Sequence, residues 1–231
     1  MKILCTICGR GGSKGLINKN IKSFLGKPLV SYTIKQAIKS KLFYKIALSS
    51  DSKKILKIGK KLGVDFTLKR SERLSRDLVP KTKVIKNLLF ETEKAFKINF
   101  DLIVDLDITS PLRTIGDIKN SINLIKNKKK SCSSCCVSPA RRNPYFNMVE
   151  MKKNKLMLSK KWKKHLIARQ DAPKVFDLNA SVFAWNRLGL IKGTKLINNS
   201  TYFNIIPVSN GLDIDSKLDF NIAEFLYKSK K

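Results

Sequence analysis

Acidic residues, histidine and long apolar runs are scarce in this chain, and each scarcity argues against a class of protein. The 231 residues contain 17 Asp and Glu against 48 Lys and Arg, which gives a formal net charge of +31. The single histidine, His165, lies in a Lys-rich segment that predicts exposure, so a histidine-based catalytic triad is not expected. No apolar run reaches the length of about 18 residues that a membrane-spanning helix needs.

The amino terminus also lacks the pattern of a secretory signal. Met1 and Lys2 lead directly into a short apolar strand, without the charged, apolar and small-residue regions of a signal peptide. We therefore expect a cytoplasmic protein without a membrane partner.

The positive charge has three interpretations. A nucleic-acid partner would use it directly, anionic substrates would be steered by it, and a codon bias towards Lys, Asn and Ile would produce it without any function. The lysines are scattered rather than gathered in one tail, which favours the codon bias. Since no recognition motif and no aromatic-interleaved basic stripe is present, no specific nucleic-acid partner is expected.

The two best-known phosphate loops are absent. The pattern G-x-x-x-x-G-K-[ST] fails because Gly26-Lys27 is followed by Pro28. The pattern G-x-G-x-x-G fails because Lys14 stands where a third glycine would follow Gly9 and Gly11.

A different glycine-rich loop follows the apolar strand Ile3–Cys8. Its glycines expose backbone N–H groups that can surround an anion, and three cations accompany them. This loop, whose glycines are Gly9, Gly11, Gly12 and Gly15 and whose cations are Arg10, Lys14 and Lys19, suits a polyphosphate. The alternative is a plain glycine-rich connector.

Apolar strands alternate with helical patterns along most of the chain, which predicts an open, mostly parallel α/β sheet in a single domain over residues 1–231. Predicted strands are 3–8, 45–50, 64–68, 101–107, 180–185 and 204–208, and predicted helices include 28–40, 82–96 and one opened by Asp117. Ligands bind such sheets beyond the carboxyl ends of the strands. The glycine loop, Asp51, the loop 70–77 and the segment 107–113 all follow strands, so we expect them to converge.

Five cysteines include two C-x-x-C pairs, Cys5/Cys8 and Cys132/Cys135. Such pairs raise the question of a zinc site. Both pairs lie in apparent strands, where positions i and i+3 point to opposite faces, so buried, reduced thiols are the preferred interpretation.

The segment 138–164 interrupts the alternation. Met148–Met151 and Leu156–Leu158 predict two short strands joined through Lys153-Asn154. This hairpin is either an arm that packs on a second subunit or a hairpin folded back on its own domain.

Two aspartates near the carboxyl terminus, Asp213 and Asp215, are separated by one residue. In an extended segment both carboxylates face the same side and can share a hard divalent cation. The alternative is that Asp215 only caps the last helix.

Several motifs in this order resemble those of the CMP-N-acetylneuraminic acid synthetase family. They are the glycine loop with Lys19-Asn20, the segment from Arg70 through Ser75 to Asp77, Thr109-Ser-Pro-Leu-Arg113, Arg169-Gln170 with Asn179, and Gly211–Phe220. The resemblance implies a Rossmann-like nucleotidyltransferase fold with helices on both faces of the sheet and a dimerisation arm. It also implies an Mg²⁺-dependent enzyme, with Mn²⁺ as a substitute, that acts on CTP and an acidic nine-carbon sugar as a homodimer.

The same resemblance assigns roles to individual residues. Arg10, Lys14 and Asp215 would be catalytic, and the metal would lie between Asp213 and Asp215. The nucleotide would contact Arg10, Gly11, Gly12, Ser13, Lys14, Lys19, Asn20, Arg70 and Ser75. The sugar would contact Asp107, Arg169, Gln170 and Asn179.

This chain departs from the family pattern before Thr109. Asp107-Ile108 replaces the Gln-Pro that is common in N-acetylneuraminate enzymes, and resembles variants that activate bacterial sugars such as legionaminic acid. Asp107 is thus expected to help choose the sugar, unless it binds Mg²⁺ or only shapes its loop. The rival predictions are a cytidylyltransferase for the eight-carbon sugar 3-deoxy-manno-octulosonate and a non-catalytic nucleic-acid-binding protein.

Overall fold

Strands and helices alternate along most of the chain, as predicted. The computed structural model describes residues 1–12, 15–163, 166–193 and 195–229, so the predictions on Ser13, Lys14 and His165 lie outside the described residues. The strands are β1 Ile3–Cys8, β2 Ser23–Phe24, β3 Lys27–Pro28, β4 Lys45–Ser50, β5 Phe66–Lys69, β6 Leu102–Leu106, β7 Ser133–Pro139, β8 Val149–Lys152, β9 Lys155–Leu158, β10 Phe176–Asn186 and β11 Thr201–Ile205. The helices are α1 Leu29–Ser40, α2 Lys53–Leu62, α3 Glu72–Ser75, α4 Lys81–Phe96, α5 Ile115–Asn123, α6 Arg187–Lys192 and α7 Lys217–Ser229.

Seven strands form the main sheet, in the order β11-β7-β10-β6-β1-β4-β5. Strand β10 runs antiparallel to both of its neighbours, and the other paired strands of this sheet are parallel. The prediction of a mostly parallel α/β sheet is therefore confirmed. Strand β1 lies between β6 and β4, so the loop that follows β1 leaves the sheet near its middle.

Helices cover both faces of this sheet because its strands are apolar on both sides. In β1, Cys5 and Ile7 belong to a core cluster with residues of α1, α2, α5 and α7. The intervening Leu4 belongs to a second cluster with Leu88 of α4 and Leu190 of α6. Alternate residues of one strand thus contribute to two separate cores.

Some elements differ in their bounds from the prediction. Strand β5 begins at Phe66 rather than Val64, because Gly63 ends α2 with a positive φ of 86° and the chain must turn before it can pair. Strand β10 begins at Phe176 rather than Ala180. Its first residues alternate apolar and polar side chains, but the apolar ones, Phe176 and Leu178, are exposed and do not pack in the core.

The predicted hairpin is present as β8 and β9. Its turn residues Lys153 and Asn154 both have positive φ, 48° and 60°, as in the two-residue turns that match the twist of a hairpin. All eight strand residues are exposed, including Met151 and Leu156 at 74% and 71%. The hairpin therefore projects from its own domain rather than folding back on it.

The cysteines are buried, reduced thiols, except that Cys8 is partly exposed. Cys5 and Cys132 belong to one core cluster, whereas Cys8 and Cys135 pack in the other, so neither C-x-x-C pair converges on one metal ion. Burial also raises the pKa of the Cys135 thiol to about 11, which disfavours the thiolate that a metal would need. None of the helices in the described ranges is long and apolar enough to cross a membrane.

Candidate active site

Three of the four predicted loops meet in one cleft beyond the carboxyl ends of β1, β5 and β6. Its volume is about 310 Å³. The predicted site residues that line it are Arg10, Gly12, Lys19, Asn20, Arg70, Asp107, Asp213 and Asp215. Asp51, from the fourth loop, supports the site from behind, since its Oδ1 accepts a hydrogen bond of 2.7 Å from the Gly11 N–H.

The glycine loop touches two other parts of the cleft. Arg10 forms an ion pair with Asp77, which belongs to the loop after β5. A Cβ atom on Gly15 would lie 2.4 Å from the backbone oxygen of Asp215, a distance that real side chains do not reach. The absence of a side chain at Gly15 therefore allows the loop to pack against the D-x-D segment.

Lys19 and Asn20 lie in a single 3₁₀ turn, and both are 9% exposed. The Lys19 ammonium group lies 2.8 Å from Asp215 Oδ1 and donates to the Ile214 carbonyl oxygen. Asn20 Nδ2 donates to the Arg10 carbonyl oxygen at 2.8 Å. Lys19 thus joins the glycine loop to the acidic segment, while Asn20 holds Arg10 in place.

The acidic segment presents Asp213 and Asp215 to the cleft while Ile214, between them, is fully buried. The Ile214 N–H donates to the Thr109 carbonyl oxygen at 2.9 Å, which fixes the segment beside the loop after β6. Ser216 and Asp219 exchange hydrogen bonds at the start of α7, so Ser216 rather than Asp215 caps this helix.

These two carboxylates fit a hard divalent cation. Asp213 Oδ1 is buried and has no hydrogen-bond partner among the described residues, so its lone pairs are available to a cation. Burial raises the pKa of Asp213, the nearby carboxylates act in the same direction, and a hydrogen bond from Thr109 opposes them. Within the described ranges, no group of three or more His, Cys, Asp or Glu residues is placed to hold a metal. The protein would supply two oxygen ligands, and phosphate or water oxygens the others.

Asp107 lies in the same cleft and is held by Lys81, a residue that the sequence analysis missed. The Lys81 ammonium group lies 2.5 Å from Asp107 Oδ2 and 2.8 Å from Asp105 Oδ2. Burial disfavours the Asp107 carboxylate, but the Lys81 charge and a hydrogen bond from the Thr109 N–H outweigh it and lower the pKa of Asp107 to about 2. Lys81 is one lysine among many, so little in the sequence marks it as a site residue. The one weak indication is that it is a cation at the start of a helix, where the helix dipole disfavours positive charge.

Arg113 anchors the loop that carries Asp107. It is 2% exposed, and its guanidinium group donates to Thr33 Oγ1 at 2.7 Å, to Gln36 Oε1 at 3.0 Å, and to the carbonyl oxygens of Ser181 and Asp107. Burial lowers the pKa of Arg113 to about 10, so it remains a cation at neutral pH. The last residue of the Thr-Ser-Pro-Leu-Arg motif therefore positions the loop and does not line the cleft.

The two predicted base-binding residues lie in different places. Arg70 is buried and lines the main cleft, where it donates to the Ser49 carbonyl oxygen at 3.2 Å. Ser75 lines a neighbouring cavity that also includes Arg70 and Asp51, and its hydroxyl donates to the Ser71 carbonyl oxygen. The role of Ser75 stays a prediction.

The remaining predicted sugar contacts do not line this cleft. Arg169 and Gln170 are exposed, and the Arg169 guanidinium group donates to the Ala140 carbonyl oxygen at 2.7 Å. Asn179 is buried beside Gly211 of the closing motif and donates to Ser138 Oγ at 3.1 Å. Their roles also stay predictions.

Comparisons with known proteins agree with this architecture. The solved structure of a CMP:2-keto-3-deoxy-manno-octonic acid synthetase in complex with CTP superposes over all of both chains with a TM-score of 0.70, at 13% sequence identity. This similarity supports a shared nucleotidyltransferase fold.

Sequence comparisons are more specific. The chain is 40% identical over 229 residues to the post-translational flagellin modification protein B of Campylobacter coli, covering 99% of this chain and 96% of that protein. It is 41% identical, with the same coverage, to a CMP-N,N'-diacetyllegionaminic acid synthase of Campylobacter jejuni. The model of the cytidylyltransferase family matches residues 4–191. The chain therefore belongs to the cytidylyltransferase family of nucleotidyltransferase enzymes.

Proposed function

We propose that this enzyme transfers CMP from CTP to the anomeric hydroxyl of a sialic-acid-like, nine-carbon sugar acid and releases pyrophosphate. The observation that carries this proposal is the placement of three cations, Arg10, Lys19 and Arg70, and two facing aspartates, Asp213 and Asp215, in a single cleft. Cations favour the triphosphate, and paired carboxylates favour the metal that accompanies it. The names of the full-length relatives support the choice of sugar class.

The glycine loop would bind the triphosphate. Arg10 and Lys14 would contact its oxygens, and the N–H groups of Gly11, Gly12 and Ser13 would surround them, with Lys19 and Asn20 beside this loop. In the free protein Arg10 is paired with Asp77, and Lys19 with Asp215. Binding of CTP would therefore exchange protein carboxylates for phosphate oxygens around these cations, while Arg70, with Ser75 nearby, would contact the base or ribose.

The acidic segment would hold Mg²⁺, or Mn²⁺ as a substitute, between Asp213 and Asp215. A divalent cation at this position would neutralise the negative charge that develops on the phosphate oxygens during the reaction. The unpartnered Oδ1 of Asp213 supports this assignment.

The reaction would form a bond from the anomeric oxygen of the sugar to the α-phosphorus of CTP. The bond from that phosphorus to the oxygen that bridges to the β-phosphate would break, and pyrophosphate would leave with its electron pair. The proton of the sugar hydroxyl would pass to a carboxylate, for which Asp215 is our candidate. Positioning and electrostatic stabilisation by Arg10 and Lys14 would supply most of the rate.

Asp107 would help select the sugar, because it lies in the cleft with its carboxylate held by Lys81 and Thr109. Arg169, Gln170 and Asn179 would complete the sugar site, although they lie outside the cleft of this chain. We further propose a homodimer formed through the exposed hairpin in residues 138–164, and a cytoplasmic location, where CTP is made.

A matrix of nucleotides and sugars, read out as released pyrophosphate, tests the proposed function. CTP, UTP, ATP and GTP are each combined with legionaminic-type, pseudaminic-type and N-acetylneuraminic acids and with 3-deoxy-manno-octulosonate. We expect turnover with CTP and a nine-carbon sugar acid. Turnover confined to the eight-carbon sugar, or absent with CTP, would refute the proposal. The variant D65N, altered far from the cleft, is the matched control for D213N and D215N.

A further inference from the structure

A second cavity, of about 380 Å³, lies along α1 and shares no lining residue with the catalytic cleft. Its polar lining consists mainly of basic and hydroxyl side chains, among them Lys27, Ser31, Tyr32, Lys35, Lys39 and Arg113. Among the described residues that line it, no carboxylate is present. The proposed reaction does not use this cavity.

Ser31 is, with Arg113, a buried polar residue of this cavity. The residue is 4% exposed and lines the cavity, yet its hydroxyl group makes no hydrogen bond within the described part of the chain. Its oxygen is not among the fully buried, unpartnered polar atoms of the described residues, so it faces the cavity, where it can donate a hydrogen bond to water or to a bound ligand. Ser31 also lies in the first turn of α1, where Pro28 provides no side-chain cap and the helix dipole favours negative charge.

Three exposed lysine side chains border the same space. Ser31, Lys35 and Lys39 follow one another at intervals of four residues, so they lie along one side of α1. Lys27 joins them, and its charge and hydrogen bonding lower the pKa of Lys35. Like charges at this spacing destabilise a helix slightly, and α1 contains no acidic residue to offset them. The nearby carboxylate of Glu224 accepts a hydrogen bond from the Leu25 N–H at 3.1 Å.

We propose that this cavity is a second anion site, which binds a small molecule that carries a phosphate group. The ammonium groups of Lys27, Lys35 and Lys39 would supply charge, and the Ser31 hydroxyl would donate a hydrogen bond to a phosphate oxygen. The cavity is larger than a phosphate ion needs, and the ring of Tyr32 provides a wall for the remainder of the molecule. Arg113 forms part of the same wall and donates to the Asp107 carbonyl oxygen, so one buried side chain separates the cavity from the catalytic cleft.

Calorimetric titration with inorganic phosphate, without CTP or sugar, tests this site independently of the proposed function. The cavity variant K27Q/K35Q/K39Q is compared with K53Q/K57Q/K60Q, which removes the same charge from exposed positions of α2. The variant R10Q/K19Q removes phosphate contacts of the catalytic cleft instead. S31A is a smaller change, so it still tests the site if the triple variant misfolds.

We expect a phosphate site, separate from that of the catalytic cleft, that weakens at least tenfold in the cavity variant and severalfold in S31A. The same site should change less than twofold in the α2 variant and in R10Q/K19Q. Equal weakening in the cavity and α2 variants would show that phosphate responds only to net charge, and would overturn the proposal. Loss of all phosphate binding in R10Q/K19Q would also overturn it. So would unchanged phosphate binding in both S31A and the cavity variant.

Discussion

Lys81 and Asp107 form an ion pair in which Nζ lies 2.5 Å from Oδ2, and the same ammonium group lies 2.8 Å from Asp105 Oδ2. Asp105 is fully buried and accepts a hydrogen bond of 2.8 Å from Thr6 Oγ1. One lysine thus compensates two carboxylates, one in the core and one in the cleft. Asp107 would therefore meet a ligand in the cleft as an oriented, partly neutralised acceptor and not as a free negative charge.

Replacing Asp107 by glutamine should change the choice of sugar. Glutamine can donate as well as accept a hydrogen bond, and it removes the partner charge of Lys81. Discrimination in kcat/KM between legionaminic and N-acetylneuraminic acids should shift by about 1–3 kcal/mol, the scale of one polar substrate contact. An equal loss of kcat/KM for both sugars would instead make Asp107 a metal-binding or structural residue.

Removing Lys81 should destabilise the fold. K81M leaves two largely buried carboxylates without their cation, which typically costs about 3 kcal/mol or more. Urea unfolding would measure this, with K83M as the matched control because Lys83 is an exposed lysine of the same helix. If the two variants unfold at the same urea concentration, the ion pairs of Lys81 do not contribute to stability.

The Asp107 pair should also make stability depend on pH at the acidic end. The pKa of Asp107 is lowered to about 2 in the folded state, so its contribution is complete above the ordinary carboxylate pKa of about 4 and decreases as pH falls towards 2. The difference in free energy of unfolding between the wild type and D107N should be constant from about pH 5 to pH 7 and shrink below about pH 4. A difference that grows on acidification would contradict the pairing.

The acidic segment should be needed for turnover with a divalent cation. D213N and D215N should each lower kcat/KM by about 100-fold, equivalent to about 2.7 kcal/mol of transition-state stabilisation. Excess EDTA should abolish pyrophosphate release, and Mg²⁺ or Mn²⁺ should restore it. Full activity in EDTA would rule out the metal assignment, and D65N should behave as the wild type.

The exposed hairpin should mediate self-association. Light scattering at micromolar concentration should give about twice the chain mass of 26.2 kDa. M151E/L156E places charge on the apolar hairpin surface and should yield monomers, whereas F225E, on an exposed position of α7, should not. A wild-type protein that is monomeric under these conditions would refute the dimer.

Features that depend on residues close together in sequence were predictable. The apolar strand Ile3–Cys8, its glycine loop, the Lys153-Asn154 turn and the D-x-D spacing each obey backbone rules that act over a few residues. The alternation of strands and helices then required a mostly parallel sheet with its loops gathered at one edge. From these features the convergence of the glycine loop, the loop 70–77 and the segment 107–113 followed, whereas the place of Asp213 in the same site was implied only by the family resemblance.

Features that depend on how distant segments pack were decided by the tertiary structure. Lys81 meets Asp107 across 26 residues, and Arg10 meets Asp77 across 67. Only the packing of α4 against the sheet brings Lys81, rather than another of the many lysines, over two aspartates of the β6 region. The sequence by itself thus determined the strands, the loops and the chemistry they carry. The three-dimensional packing decided which charges meet, because a side chain's partner depends on the relative placement of whole helices and strands, which no local pattern records.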